Sequence, residues 1–259
     1  MLYSPANKPL PGSLVDYTHP FARDRSLHIL FNERAGGIVR DLSIGMNPGT
    51  WYGTGSHWVG ETGQFTAANN DYIRCGATNL GFDRTLTTLA LWVKPVSITV
   101  DQYVTAGVKQ VNTPNQRCII LGYQNGYFNI FNNGAYPTGA AAHTQIAASA
   151  GEWQNIIYCS DGSTLRGYKD GLLVVDVSAN LTISSDMCYY YFGQSTVGSY
   201  FSGNMSEFAV YNRMLSDAEV KKLCDDRMEY KYAEFTKLDV SYFYLPVSAA
   251  YRQRIITMF

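Results

Sequence analysis

Two dipeptides place tight turns between runs of strand-forming residues. Asn125-Gly126 and Asp170-Gly171 each lie between two runs of apolar and aromatic residues. Asn-Gly and Asp-Gly favour the type I′ turn, because its twist matches the right-handed twist of paired antiparallel strands. The sequence therefore predicts two β-hairpins, at 118–131 and 165–177.

Further short runs of apolar and aromatic residues, separated by turn residues, predict the remaining strands. These runs are 27–31, 71–75, 88–93, 153–159 and 187–192. Segments 41–55, 101–117 and 135–150 are polar or rich in small residues, and we interpret them as loops. About eleven to thirteen short strands with one short helix predict an all-β protein, an antiparallel two-sheet jelly-roll sandwich.

The segment 201–223 predicts a strand followed by a short helix of about two turns. Ser216 and Glu219 have the spacing of a capping box. In this motif the hydroxyl accepts from the backbone N–H of Glu219, and the carboxylate accepts from the backbone N–H of Ser216. The helix is therefore expected to begin at Asp217 and to end near 221–226.

Five blocks of sequence occur in the order found in laminin-G-like domains. The blocks are 27–43, 63–76, 86–95, 152–171 and 201–223. The first contains N-E-x-x-G and D-L-S, and the last contains Y-N-R-x-L-S-x-x-E. On these blocks the chain resembles the concanavalin A-like lectin/glucanase superfamily, in particular domains of the laminin G and pentraxin type. The resemblance implies a jelly-roll sandwich. It also implies that the protein could bind a glycan or calcium, and both functions can be tested.

The predicted domain organisation has three parts. An extended N-terminal arm covers 1–25, the sandwich covers 26–228, and an aromatic-rich C-terminal arm covers 229–259. The C-terminal arm ends in apolar residues, which need a protein surface to pack on because exposed apolar segments promote aggregation. The residues expected to make assembly contacts are Tyr242, Phe243, Tyr244 and Phe259.

Composition argues against several classes of function. The net charge is −1 and only 16% of residues are charged, so nucleic acid is not an expected partner. The five cysteines are widely spaced without a C-x-x-C pair, which argues against a zinc site and favours free thiols. No signal peptide or membrane-spanning run is recognisable, so we expect a protein made in the cytoplasm that does not act in a membrane.

Catalysis is not predicted, because the sequence does not assemble the residue sets that common mechanisms need. Glycosidases need two facing carboxylates, which a strand would present at positions i and i+2. Glu207 is the only acid in its predicted strand. The four histidines, His19, His28, His57 and His143, are scattered and form no recognisable triad. We therefore expect a protein that is not an enzyme.

Calcium is the cofactor that the resemblance makes a candidate, since this ion binds loop carboxylates and carbonyl oxygens. The candidate ligands are Asp41, Asn70 and Asp71, with Asp83 in a further loop. Ser206-Glu207 stands where many relatives carry an acidic pair, which weakens the transfer of a calcium site. The same aspartates are also suited to cap turns through hydrogen bonds to the backbone. We therefore expect either no cofactor or calcium.

Aromatic side chains in loops are the candidates for glycan binding, because a ring presents an apolar face to the C–H face of a sugar. The candidates are Trp51, Tyr52, Trp58, Tyr123 and Tyr127, with Asn129 and Asn132 as polar neighbours. Trp51 and Trp58 lie in or beside a predicted loop, so they are the least easily explained as core residues.

Two functions fit these observations. The first is a non-enzymatic structural or accessory protein of a virus particle, such as a capsid decoration protein, because the sequence resembles open reading frames among bacteriophage structural genes. Its partners would be other virion proteins or further copies of itself, with cell-surface carbohydrate as an additional ligand. The alternative is a stand-alone carbohydrate-binding lectin module, located in the cytoplasm or outside the cell. The two hypotheses differ in the oligomer they require, because arm-mediated assembly calls for a symmetric oligomer.

Overall fold

The chain folds into two packed β-sheets. The computed structural model describes residues 8, 14–55, 57–76, 86–108, 117–132, 144–179, 189–194, 199–224 and 235–236. The strands are β1 Leu14–Val15, β2 Arg25–Ile29, β3 Ile38–Val39, β4 Gly49–Tyr52, β5 Trp58–Val59, β6 Thr62–Phe65, β7 Tyr72–Cys75, β8 Thr87–Pro95, β9 Gln102–Val108, β10 Arg117–Gln124, β11 Tyr127–Asn132, β12 Ile146–Ala147, β13 Gln154–Ser160, β14 Thr164–Lys169, β15 Leu172–Ser178, β16 Tyr189–Phe192, β17 Gly203–Tyr211 and β18 Phe235–Thr236. The helices are α1 Pro20–Arg23 and α2 Asp217–Cys224, with a 3₁₀ turn at Ala67–Asn69.

Two eight-stranded antiparallel sheets form the layers. Sheet I has the strand order β12-β11-β10-β9-β16-β7-β4-β3. Sheet II has the order β15-β14-β13-β8-β17-β6-β5, and β2 also pairs with β17. The prediction of an all-β antiparallel sandwich is therefore confirmed.

The core lies between the sheets and follows the two-residue period of the strands. In β8, Leu89, Leu91 and Val93 are buried in the inter-sheet core, and Phe208 and Val210 of β17 pack beside them. Successive side chains of a strand point to opposite faces, so every second residue of these strands lies on the outer face of its sheet.

Both predicted hairpins are confirmed. β10 pairs with β11 and β14 pairs with β15. Asn125 and Gly126 have φ angles of 53° and 84°, and Asp170 and Gly171 have 51° and 78°. Positive φ at both central residues is the requirement of a type I′ turn.

All three segments interpreted as loops contain strands. β9 lies within 101–117, β4 lies within 41–55 and β12 lies within 135–150. All three belong to sheet I, where β4 and β9 have neighbours on both sides and β12 is an edge strand. Pairing with neighbouring strands therefore determines the conformation of these short segments. Their own strand preference is weak, because turn residues surround them.

The segment predicted as an extended N-terminal arm contains helix α1. Pro20 occupies the first turn, and His19 caps the helix because its Nδ1 accepts from the N–H of Phe21 at 3.2 Å. Phe21 packs with α2 on the outer face of sheet II. β1 pairs with β18, which joins Leu14–Val15 to Phe235–Thr236. The domain boundaries themselves stay a prediction, and the four predicted assembly residues, Tyr242, Phe243, Tyr244 and Phe259, lie outside the described residues.

Three cysteines with described side chains, Cys75, Cys159 and Cys224, are free thiols. Burial raises the pKa of Cys75 well above its usual value and that of Cys159 to about 12. Cys188 and the side chain of Cys118 lie outside the described part of the chain. In the described ranges, no helix has the length and apolar character needed to cross a membrane.

Helix α2 begins where the sequence predicted, and the capping box is formed. The N–H of Ser216 donates to Glu219 Oε2 at 2.9 Å, and the N–H of Glu219 donates to Ser216 Oγ at 3.4 Å. Arg213 binds the same carboxylate, with Nη2 at 2.8 Å from Glu219 Oε1, and it also binds Asp24. The cap therefore ties α2 to the segment that follows α1.

We expect Glu219→Gln to flatten the acid dependence of stability. Partial burial raises the pKa of Glu219, but hydrogen bonds from Arg213 and Ser216 outweigh it and lower the pKa to about 2. A carboxyl whose pKa is lower in the folded state stabilises the protein above its unfolded pKa of about 4.3, and this stabilisation is lost as the pH falls towards about 2. Urea unfolding at several pH values between these limits measures the effect.

The matched control for this experiment is Glu152→Gln, which changes an exposed carboxyl. This control should keep the wild-type pH dependence, whereas Glu219→Gln should also lower stability at pH 7 by about 1 kcal/mol through the weakened cap. A wild-type slope in Glu219→Gln would show that the ion pair does not contribute.

Candidate functional site

The outer face of sheet I carries a row of side chains that crosses the sheet. The row follows directly opposed residues of six neighbouring strands: Phe131, Ile120, Ala106, Tyr191, Arg74 and Thr50. Neighbouring strands lie about 4.8 Å apart, so the row spans about 24 Å. Its length suits a chain-like ligand lying across the strands.

Five tyrosines and one arginine form the central part of this face, which we call the tyrosine cluster: Tyr52, Tyr72, Tyr189, Tyr191, Tyr200 and Arg74. The rings of Tyr52 and Tyr72 are stacked, with centroids 4.7 Å apart and planes 9° apart. The Tyr72 ring also contacts those of Tyr191 at 6.0 Å and Tyr200 at 6.5 Å. All of these rings except Tyr191 are partly exposed.

Arg74 lies among these rings. Its guanidinium carbon is 5.2 Å from the ring centroid of Tyr52 and 5.5 Å from that of Tyr189. Arg74 Nη2 donates to the Tyr52 hydroxyl at 2.8 Å. Burial raises the pKa of Tyr191, and a hydrogen bond with Arg74 opposes that rise. The cluster is therefore a set of apolar ring faces around one positive charge.

A cavity of about 290 Å³ opens at one end of the face. Tyr103, Ile120 and Phe131 supply apolar surface, while the polar groups belong to Asp101, Gln102, Gln124 and Ser199. Ser199 precedes Tyr200, so one short segment joins the cavity to the tyrosine cluster. We call the cavity and the cluster together the aromatic face.

Of the glycan-binding candidates, Tyr52 and Tyr123 belong to this face and Tyr127 lies next to it. Tyr52 belongs to the tyrosine cluster. Tyr127 is 41% exposed and pairs with Gln124, a residue of the cavity. Their role in binding stays a prediction.

The expectation that Trp51 lies in an exposed loop is wrong. Trp51 is in β4 with its side chain in the core, where it is 6% exposed. Its ring stacks on His57 at 4.5 Å and packs against Phe65 at 4.6 Å. Because Trp51 and Tyr52 are adjacent in a strand, they face opposite sides of sheet I, and only Tyr52 reaches the outer face.

Tyr123 and Trp58 are also less accessible than expected. Tyr123 is 2% exposed at the base of the cavity, and its hydroxyl donates to Gln102 Oε1 at 2.6 Å. Trp58 is partly buried against the core, and its Nε1 donates to the Gly36 carbonyl at 2.8 Å. Asn129 is buried, with Nδ2 donating to the Tyr127 carbonyl, while the side chain of Asn132 lies outside the described residues.

Most of the aromatic face was missed by the sequence analysis. Tyr72 and Arg74 stand at positions i and i+2 of β7, and Tyr189 and Tyr191 have the same spacing in β16. This two-residue period is the signal that places them on one face. The period could not be recognised in β16, because the residues that face the core there, Tyr190 and Phe192, are aromatic as well.

Two of the calcium candidates, Asp41 and Asp71, already accept hydrogen bonds from the backbone around them. Asp41 accepts from the N–H groups of His28, Ser43 and Asn47 and from the Ser43 hydroxyl, at 2.8–2.9 Å. Burial raises the pKa of Asp41, and these hydrogen bonds oppose the rise.

Asp71 is fully buried and accepts from the N–H groups of Gly55 at 3.2 Å and Thr66 at 3.0 Å. Asn70 ends the 3₁₀ turn with a left-handed φ of 56°. Asp83 lies outside the described residues, and within them no group of three or more His, Cys, Asp or Glu is arranged to hold a metal. A calcium site stays an untested prediction.

Glu207, the acid of the closing strand, lies on the outer face of sheet II. Its Oε1 is 3.2 Å from Nε2 of the buried His28, whose Nδ1 is 2.7 Å from Arg25 Nη1. The carboxylate is therefore part of a buried polar network on the sheet that does not carry the aromatic face.

Sequence comparison identifies the family. A laminin G family model, described as the concanavalin A-like lectin/glucanases superfamily, matches residues 67–221, more than half of the chain. The chain belongs to this superfamily. The match includes β7, β16 and the cavity strands β9–β11, which together carry most of the aromatic face. No curated protein matches the chain in sequence.

Solved structures share the fold at low sequence identity. Domain 4 of an extracellular GH43 arabinanase from Geobacillus stearothermophilus, solved with arabinotriose, has a TM-score of 0.58 and 17% identity, over 78% of this chain and 98% of that one. The binding domain of botulinum neurotoxin DC, solved with rat synaptotagmin II, has a TM-score of 0.62 and 11% identity, over 80% and 52%. Trypanosoma rangeli sialidase, solved with the inhibitor DANA, has a TM-score of 0.56 and 14% identity, over 78% and 33%. The chain thus spans nearly all of the arabinanase domain, about half of the neurotoxin binding domain and about a third of the sialidase.

Proposed function

We propose that this protein is a non-enzymatic carbohydrate-binding module whose ligand lies across the aromatic face. The observation that carries the proposal is the tyrosine cluster beside the cavity on the outside of sheet I. The concanavalin A-like lectin fold supports it, as does a structural relative solved with a bound oligosaccharide.

The aromatic face supplies both kinds of contact that sugars need. The rings of Tyr72, Tyr52 and Tyr103 offer apolar surface for the C–H faces of pyranose or furanose rings. Asp101 and Gln124 at the cavity offer acceptors and donors for sugar hydroxyls. The row of about 24 Å fits roughly four to five sugar units, if each spans about the distance between neighbouring strands.

The predicted role in a virus particle rests on the sequence alone. The four residues expected to make assembly contacts in the C-terminal arm lie outside the described residues. A glycan-binding face is compatible with that role, because a particle protein can carry a lectin fold. The virion role and the homo-oligomer stay predictions, and light scattering of the purified chain tests the second.

We expect Tyr72→Ala to reduce the affinity for a glycan selected on a glycan array by about tenfold, which corresponds to about 1.4 kcal/mol. Tyr72 contacts three other rings of the cluster, so its removal takes away ring surface and also the support of Tyr52. Isothermal titration of the wild type and the variant with the same oligosaccharide measures the change.

Leu172→Ala is the matched control, because Leu172 is an exposed apolar residue on the edge strand β15 of sheet II. Its affinity should equal that of the wild type. Equal loss in both variants would contradict binding at the aromatic face, and a wild-type chain that binds no glycan on the array would contradict the proposed function.

A further inference from the structure

We propose that the glycan is acidic and that Arg74 binds a carboxylate of one of its sugars, a uronic or sialic acid. This inference rests on the proposed function, because it names the class of ligand for the aromatic face. It is carried by the position of one guanidinium on that face.

Arg74 is held in the middle of the face by its strand and its neighbours. In β7 it is directly opposed by Thr50 on β4 and by Tyr191 on β16. The rings of Tyr52 and Tyr189 lie near the guanidinium, and the Tyr52 hydroxyl fixes Nη2. A side chain restrained in this way loses little freedom when it binds a ligand.

No carboxylate of the described residues lies within 4 Å of Arg74, whereas other partly buried arginines have one. Arg213 lies at 3.1 Å from Asp24 and at 2.8 Å from Glu219, and Arg166 lies at 3.3 Å from Asp176. Within this part of the chain, the guanidinium of Arg74 contacts the Tyr52 hydroxyl and the rings of Tyr52 and Tyr189. The sheet therefore presents a positive charge whose counter-ion has to come from the ligand or the solvent.

The donors of Arg74 match a carboxylate. A guanidinium carries five N–H groups, and the hydrogen bond to the Tyr52 hydroxyl leaves donors for a further acceptor. Its planar fork binds a carboxylate through two parallel hydrogen bonds, which are stronger than hydrogen bonds to neutral groups. The flanking rings are then placed to contact the apolar face of the same sugar. A sulfate ester offers the same anionic oxygens, so the experiment must separate the two.

The experiment is isothermal titration of the full chain with matched pairs of oligosaccharides. The pairs are oligogalacturonate and its methyl ester, sialyllactose and lactose, and a chondroitin sulfate hexasaccharide and its desulfated form. We expect at least one of the first two acids to bind tenfold or more tightly than its neutral partner, while loss of sulfate changes affinity less than twofold. In Arg74→Gln the preference for the acid should disappear, so that the ratio of the affinities for the acid and its neutral partner falls to about one.

Arg74→Lys separates charge from geometry, because lysine keeps the charge without the planar fork. Its preference for the acid should fall between those of the wild type and Arg74→Gln. Circular dichroism and urea unfolding establish that each variant is folded before titration.

Each contrary outcome overturns a stated part of the inference. Equal binding of acid and neutral partner by the wild type overturns the acidic ligand and leaves the proposed function intact. A loss in Arg74→Gln that is the same for both partners shows a structural role for Arg74, and a preference that follows sulfate alone overturns the carboxylate. Binding of none of the six oligosaccharides, together with a glycan array without a signal, overturns the proposed function itself.

Discussion

Lys8→Met is expected to lower the free energy of unfolding by about 3 kcal/mol, because it removes a charged donor from three backbone carbonyls, of which two are buried and one is partly buried. The Lys8 ammonium donates to the carbonyls of Leu30, Glu61 and Ser206, the second at 2.6 Å. Lys8 itself is only 8% exposed. A buried carbonyl without a partner costs about 1–3 kcal/mol, and methionine has a similar volume but no donor.

The position of these carbonyls explains why the contact matters to the fold. β17 pairs with β6 through Gly203–Met205 and with β2 through Phe208–Tyr211. Ser206 lies between these stretches, at a break in the register between β17 and β8. Leu30 follows β2 and Glu61 precedes β6, so Lys8 joins the ends of two strands that share one edge of β17.

Urea unfolding followed by tryptophan fluorescence measures this effect, with Lys221→Met as the control. Lys221 is exposed on α2, and its replacement should change the free energy of unfolding by less than about 0.5 kcal/mol. Lys8→Arg keeps the charge but spreads its donors in a plane, so an intermediate loss is expected. Equal stability of Lys8→Met and the wild type would show that the three carbonyls find other partners.

Features that depend only on residues close together in the sequence could be predicted. The turns at Asn125-Gly126 and Asp170-Gly171 and the cap of Ser216 and Glu219 each depend on residues within four positions of one another. The contacts of Lys8 are of the opposite kind, since they join it to residues 22 to 198 positions away. A single lysine in a proline-rich segment carries no local signal of such a role.

The aromatic face could be predicted only in part, for a related reason. Tyr52 was a candidate because it is aromatic, but aromatic character does not say which side of a sheet a residue faces. In β16, Tyr189 and Tyr191 face outwards while Tyr190 and Phe192 face the core, and all four are aromatic. Assigning their faces requires the register with β7 and β9.

Asp41→Ala is expected to lower the free energy of unfolding by about 3–4 kcal/mol, because it leaves buried N–H groups without an acceptor. Asp41 is 7% exposed, and its carboxylate joins three separate places in the chain: the N–H of His28 in β2, both donors of Ser43, and the N–H of Asn47. Its loss should therefore release the loop between β3 and β4 from sheet II. Urea unfolding of the variant measures the change.

Asp161→Ala is the matched control for Asp41→Ala, because it has the same local chemistry in solvent. Asp161 is exposed, and its Oδ1 accepts from the N–H groups of Ser163 and Thr164 and from the Ser163 hydroxyl at 2.7–2.9 Å. Water can replace this acceptor, so a loss below about 1 kcal/mol is expected. Similar losses in the two variants would show that burial adds nothing to the hydrogen bonds of Asp41.

Unfolding of the wild type and of Asp41→Ala in the presence of calcium or EDTA tests whether Asp41 is a calcium ligand. All four hydrogen bonds converge on its two oxygens, so an ion bound there would have to displace donors that the loop already supplies. We therefore expect the unfolding midpoint of the wild type to be unchanged by calcium or by EDTA. A midpoint that rises with calcium in the wild type, but not in Asp41→Ala, would instead establish Asp41 as a ligand and the hydrogen-bonded loop as its calcium-free state.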